Sequence, residues 1–173
     1  MENNGFVHLY CGDGKGKTTA AVGLALRCAG SGGRVLFVQF FKDGTSSELE
    51  PLRRSGIDTL CCEAPHKLFS LMNEDEKECA SEDYTALFLK AIERGGEYDV
   101  LVLDEIVSAC TKGVVDEKLL TSYIAARPKG QELVLTGRKP SEALLGAADY
   151  VTEMKKIKHP YDKGCTARKG IEF

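Results

Sequence analysis

The densest chemistry in this chain lies in Gly12-Asp13-Gly14-Lys15-Gly16-Lys17-Thr18-Thr19. Glycines let a backbone turn tightly and bring its N–H groups against anionic oxygens. Lys17 supplies a full positive charge, and the Thr18 hydroxyl suits Mg²⁺. The Ala-rich stretch that follows opens a helix, whose N-terminus adds partial positive charge. An apolar strand, this loop and that helix in succession form the context of a phosphate-binding loop. One detail departs from the pattern G-x-x-x-x-G-K-[ST]: Cys11 stands five residues before Gly16, so a loop starting at Gly12 is one residue short. A glycine-rich turn that merely starts a helix is the competing reading. Lys15 either adds charge to the loop or points to solvent.

A second element is Val100-Leu101-Val102-Leu103-Asp104-Glu105, an apolar strand ending in two carboxylates. This is the form of a Walker B element, in which an acid at a strand's end helps hold Mg²⁺. Solvated acids at an ordinary strand end are the bland alternative. Alternation along a strand points the two carboxylates in opposite directions, and spacing leaves open which one faces a metal.

These residues need a scaffold that brings strand ends to one edge. Short apolar runs without alternation suit strands buried on both faces of a parallel sheet. They occur at Phe6–Cys11, Arg34–Phe41, Tyr98–Leu103 and Gln131–Thr136, and more weakly at Ile57–Cys62 and Asp149–Met154. Helices fall between them. Thr18–Ala29 is stopped by Gly30, Gly32 and Gly33. Asn73–Arg94 begins with the Asn73/Glu76 spacing of a capping box. Its Ala80, Tyr84, Leu87, Phe88, Ala91 and Ile92 share one face. Asp116–Arg127 turns Leu119, Leu120, Tyr123 and Ile124 inward and ends at Pro128. The alternation predicts an α/β, P-loop NTPase-like domain: a mostly parallel central sheet flanked by helices, with right-handed crossovers. Ligands then bind at the carboxyl ends of the strands.

The length of 173 residues suits a single domain spanning 1–173. A net charge of −3 gives no global field toward nucleic acid or acidic membranes. No apolar run approaches the ~20 residues of a membrane span, and the polar start carries no signal peptide, so cytoplasmic residence is expected. The seven cysteines are odd in number and none are spaced C-x-x-C. Reduced thiols, rather than a zinc site or disulfide framework, are the plain reading.

With these residues in view, the chain resembles the cob(I)alamin (corrinoid) adenosyltransferase family of the P-loop class. Gly12–Thr19 resembles that family's shortened G-x-G-K-G-K-T-T loop, and Val38-Gln39-Phe40-Phe41-Lys42 its V-Q-F-x-K block. Leu103-Asp104-Glu105, Ala126-Arg127-Pro128 and Leu135-Thr136-Gly137-Arg138 match further blocks. So do Ala148–Met154, Lys158–Gly164 and the closing Gly170-Ile171-Glu172-Phe173. The resemblance implies that Co(I) of a corrinoid attacks the 5′ carbon of ATP and triphosphate leaves. It also implies a nucleotide lying reversed relative to ordinary P-loop enzymes. Gly12, Asp13, Gly14, Lys15, Gly16, Lys17, Thr18 and Thr19 would cradle the triphosphate. Lys17, Thr18 and Glu105 would carry the chemistry, Thr18 and Glu105 as ligands of Mg²⁺. Arg138, then Arg27 and Lys42, are candidates for nucleotide contacts. Co(I) is itself the nucleophile, so no general base is needed, in keeping with the lack of a Ser/His/Asp or Cys/His arrangement. A homodimer and a separate reductase protein for the cobalt are the implied partners.

There are departures. Many members carry an aromatic pair with a Trp in the loop that here reads Ala64-Pro65-His66-Lys67-Leu68-Phe69-Ser70. This chain has no Trp, and Phe69 is the stand-in. Some relatives also carry an N-terminal extension over the site, whereas about five residues precede the first strand here. His66 and His159 are either corrinoid or phosphate ligands or ordinary histidines. Phe40 and Phe41 either line a corrinoid pocket or pack in the core. Lys155, Lys156, Lys158, Lys163, Arg168 and Lys169 read as a solvated face. A P-loop kinase or NTPase, and a non-catalytic nucleotide or corrinoid carrier, stand as alternatives to the transferase.

Overall fold

A computed structural model describes residues 4–62, 66–67 and 69–172. Ala64, Pro65, Leu68 and Phe173, singled out above, lie outside the described residues. The six expected strands are present: β1 (Val7–Cys11), β2 (Val35–Gln39), β3 (Asp58–Cys61), β4 (Val100–Asp104), β5 (Glu132–Thr136) and β6 (Tyr150–Glu153). They form one sheet in the order β3-β2-β4-β5-β1-β6, and every neighbouring pair is parallel. All strands therefore end at one edge, and the residues after β1, β4 and β5 gather there.

The apolar runs alternate between two cores. Leu101 and Leu103 join one cluster with Phe88, Ala91 and Leu120, while Val100 and Val102 join the other with Ala21 and Ala25. Both faces of β2 and β4 are buried, which explains runs without polar alternation.

The helices are α1 (Lys17–Gly30), α2 (Leu49–Arg54), α3 (Glu74–Gly95), α4 (Ile106–Thr111), α5 (Glu117–Ala126) and α6 (Glu142–Ala147). The capping box at α3 forms as the spacing predicts: Asn73 accepts from the Glu76 N–H, and Glu76 accepts from the Asn73 N–H. Leu119 on α5 differs from its expected inward position. It is 39% exposed, while Leu120 and Ile124 are buried. Leu119 sits at the edge of the stripe, while Tyr123 packs half-buried against the core beside Leu120 and Ile124. All seven cysteines are free. Burial pushes the thiols of Cys62 and Cys110 up to about 12, so both behave as small core residues. No described helix is long and apolar enough to cross a membrane.

Candidate active site

Strand β1 keeps pairing with β6 through Cys11, opposite Glu153, so the turn begins only at Gly12. That is why the loop is one residue short. Gly12 takes a left-handed φ of 100° and Gly16 one of 119°. A Cβ on Gly12 or Gly14 would lie 2.5 Å from the Met154 carbonyl oxygen. The Gly14 N–H donates to that oxygen at 2.6 Å, and the Lys156 N–H donates to Asp13 Oδ1 at 2.9 Å. These two glycines thus serve the close approach of the β6 end as well as the turn. The Gly14 amide, expected to face phosphate, is committed to protein. The amides at the start of α1 have no acceptor within the helix and are the ones left to meet an anion.

Lys17 is 7% exposed, and its ammonium donates to the Gly14 carbonyl at 2.8 Å. Burial holds its pKa below the ordinary value, with Glu105 opposing. A desolvated ammonium with a single neutral acceptor is set to gain from an arriving phosphate oxygen.

Strands β1 and β4 are separated by β5, roughly 10 Å at ordinary strand spacing. Side chains close this gap. Asp104 is fully buried, and its Oδ1 accepts from Thr18 Oγ1 at 2.8 Å and Thr136 Oγ1 at 2.7 Å. Its Oδ2 faces Lys42 Nζ at 3.2 Å and Gln39 Nε2 at 3.4 Å. Lys42 also reaches Glu48 at 2.9 Å, as does Gln39 at 2.8 Å. Burial opposes the charge on Lys42, yet Asp104 and Glu48 outweigh it and raise its pKa. Glu48 is likewise held below its usual range, with Lys42 overcoming burial. Lys42, a candidate for nucleotide contact, is therefore tied first to carboxylates.

The two acids sit in different surroundings. Asp104 is enclosed by four donors. Glu105 adopts a left-handed φ of 65°, its N–H donates to Thr136 Oγ1 at 2.8 Å, and its side chain lines the cavity at the strand ends. Because the Thr18 proton points to Asp104, its oxygen lone pairs are free for a cation. A hydroxyl and a carboxylate are hard oxygen donors, suited to Mg²⁺ that completes its shell with substrate oxygens and water. Among the described residues no group of three or more His, Cys, Asp or Glu is placed to hold a metal unaided.

That first cavity, of about 480 Å³, is lined by Asp13 through Thr19 and by Lys42, Glu48, Glu105, Arg138 and His159. Of the residues expected in the nucleotide site, all but Gly12 and Arg27 line it. His159 Nδ1 accepts from the Tyr161 N–H, which leaves Nε2 to carry the proton of the neutral ring. Arg27 does not line it: it lies ten residues past Lys17, ~15 Å along α1. None of the six C-terminal basic residues lines it either. Sequence reasoning missed Gly170, Ile171 and Glu172 as cavity walls. The Lys15 ammonium reaches the Ile171 carbonyl at 2.5 Å and Glu172 at 3.2 Å, so Lys15 fastens this tail while staying partly exposed to solvent.

A second cavity, of about 540 Å³, adjoins the first and shares Lys42, Glu105 and Arg138 with it. Its other walls include Phe41, Ser108 and Lys112. Phe41 packs edge-on to Phe69 and Tyr84, with the Lys112 ammonium 4.2 Å from its ring centre. Phe40 is wholly buried, so the two adjacent phenylalanines divide between core and cavity. His66 pairs with Asp83 at 3.0 Å and lines neither cavity.

Parallel sheet, phosphate loop and buried acid together define a P-loop nucleotide-binding protein. Solved structures agree on the fold. A KaiC-like protein of Pyrococcus horikoshii aligns over 91% of this chain and 75% of its own, with 17% identity and a TM-score of 0.55. ATPases 2 and 3 of EssC from Geobacillus thermodenitrificans align over 99% and 36%, with 16% identity and a TM-score of 0.55. The model of the family "ATP:corrinoid adenosyltransferase BtuR/CobO/CobP" matches residues 3–173, and the chain belongs to that family. The corrinoid adenosyltransferase of Pseudomonas aeruginosa is 30% identical over 99% of this chain and 85% of its own length. That of Salmonella typhimurium is 30% identical over 100% and 88%.

Proposed function

We propose that this chain, an ATP:corrinoid adenosyltransferase by family, binds ATP in the first cavity and the corrinoid in the second. The observation that carries this is the edge the two cavities share. Lys42, Glu105 and Arg138 line both, so the cavities adjoin and groups bound in each can come into direct contact beside these side chains. The phosphate loop and α1 amides take the triphosphate, with Lys17 as its principal cation. Phe41, backed by Phe69, offers the corrinoid an apolar face.

The reaction is a displacement. Co(I) donates its electron pair to the 5′ carbon of ATP, forming a cobalt–carbon bond. The C5′–O bond breaks, and triphosphate departs with that bond's electrons. Negative charge grows on the leaving oxygen, and preorganised donors lower the barrier most where charge develops. Lys17, Arg138 and the amides at the start of α1 are those donors. Thr18 and Glu105 would hold Mg²⁺, which when bound neutralises further phosphate charge. No side chain needs to move a proton at the reacting carbon.

The reading takes residues 1–173 as one domain working in the cytoplasm. It includes a homodimer and a separate reductase protein that supplies Co(I). The test is anaerobic: protein, Mg-ATP and chemically reduced cobalamin are mixed, and adenosylcobalamin absorbance and triphosphate are followed. Equal amounts of both are expected. Release of ADP, as from a kinase or NTPase, or binding of both substrates without a cobalt–carbon bond, removes this reading.

A further inference from the structure

We propose that Ser108 is the positioning residue that aims the Glu105 carboxylate at the cation. The inference rests on Glu105 being the cation's ligand.

Glu105 ends no strand and lies in no helix. Its left-handed backbone is the joint between β4 and α4, so its side chain lacks the support that either element would give. One group supplies that support from α4. Ser108 Oγ donates to Glu105 Oε2 at 2.5 Å, one turn further along. Ser108 Oγ in turn accepts from the Arg138 N–H at 3.2 Å. Ser108 is 8% exposed and thus fixed by packing. It therefore joins the acid after β4 to the arginine after β5, and all three line the second cavity.

The backbone preserves this clamp. Gly137 has φ 148°, and a Cβ there would lie 2.7 Å from Ser108 N and 3.0 Å from Ser108 Oγ. The β5 loop can press onto α4 only because residue 137 has no side chain. With one oxygen of Glu105 held by Ser108, the other is left for the cation. Outer groups that orient a metal-binding carboxylate commonly matter by 10–100-fold in affinity.

The test is a double-mutant cycle read by Mn²⁺ binding to the protein–ATP complex, using electron paramagnetic resonance. Glu105→Ala alone should weaken Mn²⁺ binding, and an unchanged affinity would overturn both the ligand assignment and this proposal. Ser108→Ala should weaken it about tenfold. In the Glu105→Ala background, Ser108→Ala should add nothing, because its only route to the cation is gone. Steady-state assays should show Ser108→Ala raising the Mg-ATP KM more than it lowers kcat. An unchanged Mn²⁺ affinity in Ser108→Ala, or losses that simply add in the double variant, would refute the positioning role while leaving Glu105 in place. Thermal unfolding of each variant separates these outcomes from misfolding, and Ser108→Thr, which keeps the hydroxyl, should recover most of the affinity.

Discussion

Asp104→Asn tests the buried network most directly. The carboxylate faces four donors: Thr18 at 2.8 Å, Thr136 at 2.7 Å, Lys42 at 3.2 Å and Gln39 at 3.4 Å. Gln39 cannot turn its amide to help, since its oxygen would then meet Glu48 and the network's acceptors would face each other. Asparagine offers one acceptor oxygen and one NH₂ group. If the NH₂ faces Lys42 and Gln39, donors oppose donors. If it faces the threonines, their hydroxyls must rotate, and the Thr18 proton swings into the cation's place. Either way Lys42 loses its buried counter-charge. Removing one partner of a buried pair costs about 3–5 kcal/mol, and the partial exposure of Lys42 brings this toward about 2–3 kcal/mol. At roughly 2–4 °C per kcal/mol for a chain of this size, the melting temperature should fall by about 4–12 °C. The Mg-ATP KM should rise at least about tenfold, because Thr18 loses its orientation. Circular dichroism melts and steady-state kinetics measure both. A variant melting within about 2 °C of the parent, with an unchanged KM, would refute the network as described.

Other outcomes follow from the same geometry. Lys17→Ala should lower kcat/KM for ATP by about 10²–10⁴, as two charge-assisted hydrogen bonds to phosphate are lost at about 1.5–3 kcal/mol each. Near-normal ATP turnover would contradict its role. Gly14→Ala should abolish detectable ATP binding by calorimetry while the chain still folds, because its Cβ would lie 2.5 Å from the Met154 oxygen and displace the loop from β6. Parental affinity would show that the approach is not required. The Glu172 carboxyl is held at about 2, chiefly by the Arg168 side chain and N–H. A depressed acid stabilises the tail above its unfolded pKa of about 4.3, and that support fades as pH falls toward 2. Carbon-13 spectra of the carboxyl should titrate near 2, and Arg168→Ala should return the midpoint to the ordinary range.

Local order determined what could be read from the chain alone. The phosphate loop, the acidic strand end and the α3 capping box each depend on residues within about one turn of each other, so their chemistry survives without a fold. The apolar runs of β2, β4 and β5 sufficed for a parallel sheet because burial on both faces leaves no alternation, whereas the exposed β6 and part-exposed β3 gave weaker signals. Helices α2, α4 and α6 were not legible, since six residues span too few turns to display a period. The tertiary structure alone decided which acid is enclosed and which lines the cavity. Spacing gives Asp104 and Glu105 equal standing, but Thr18, Thr136, and Gln39 with Lys42 converge on Asp104 from three separate segments. The same holds for Met154 over Gly14, Lys15 on the tail and Ser108 between Glu105 and Arg138. Each joins residues whose nearness arises only when parallel strands place their ends along one edge.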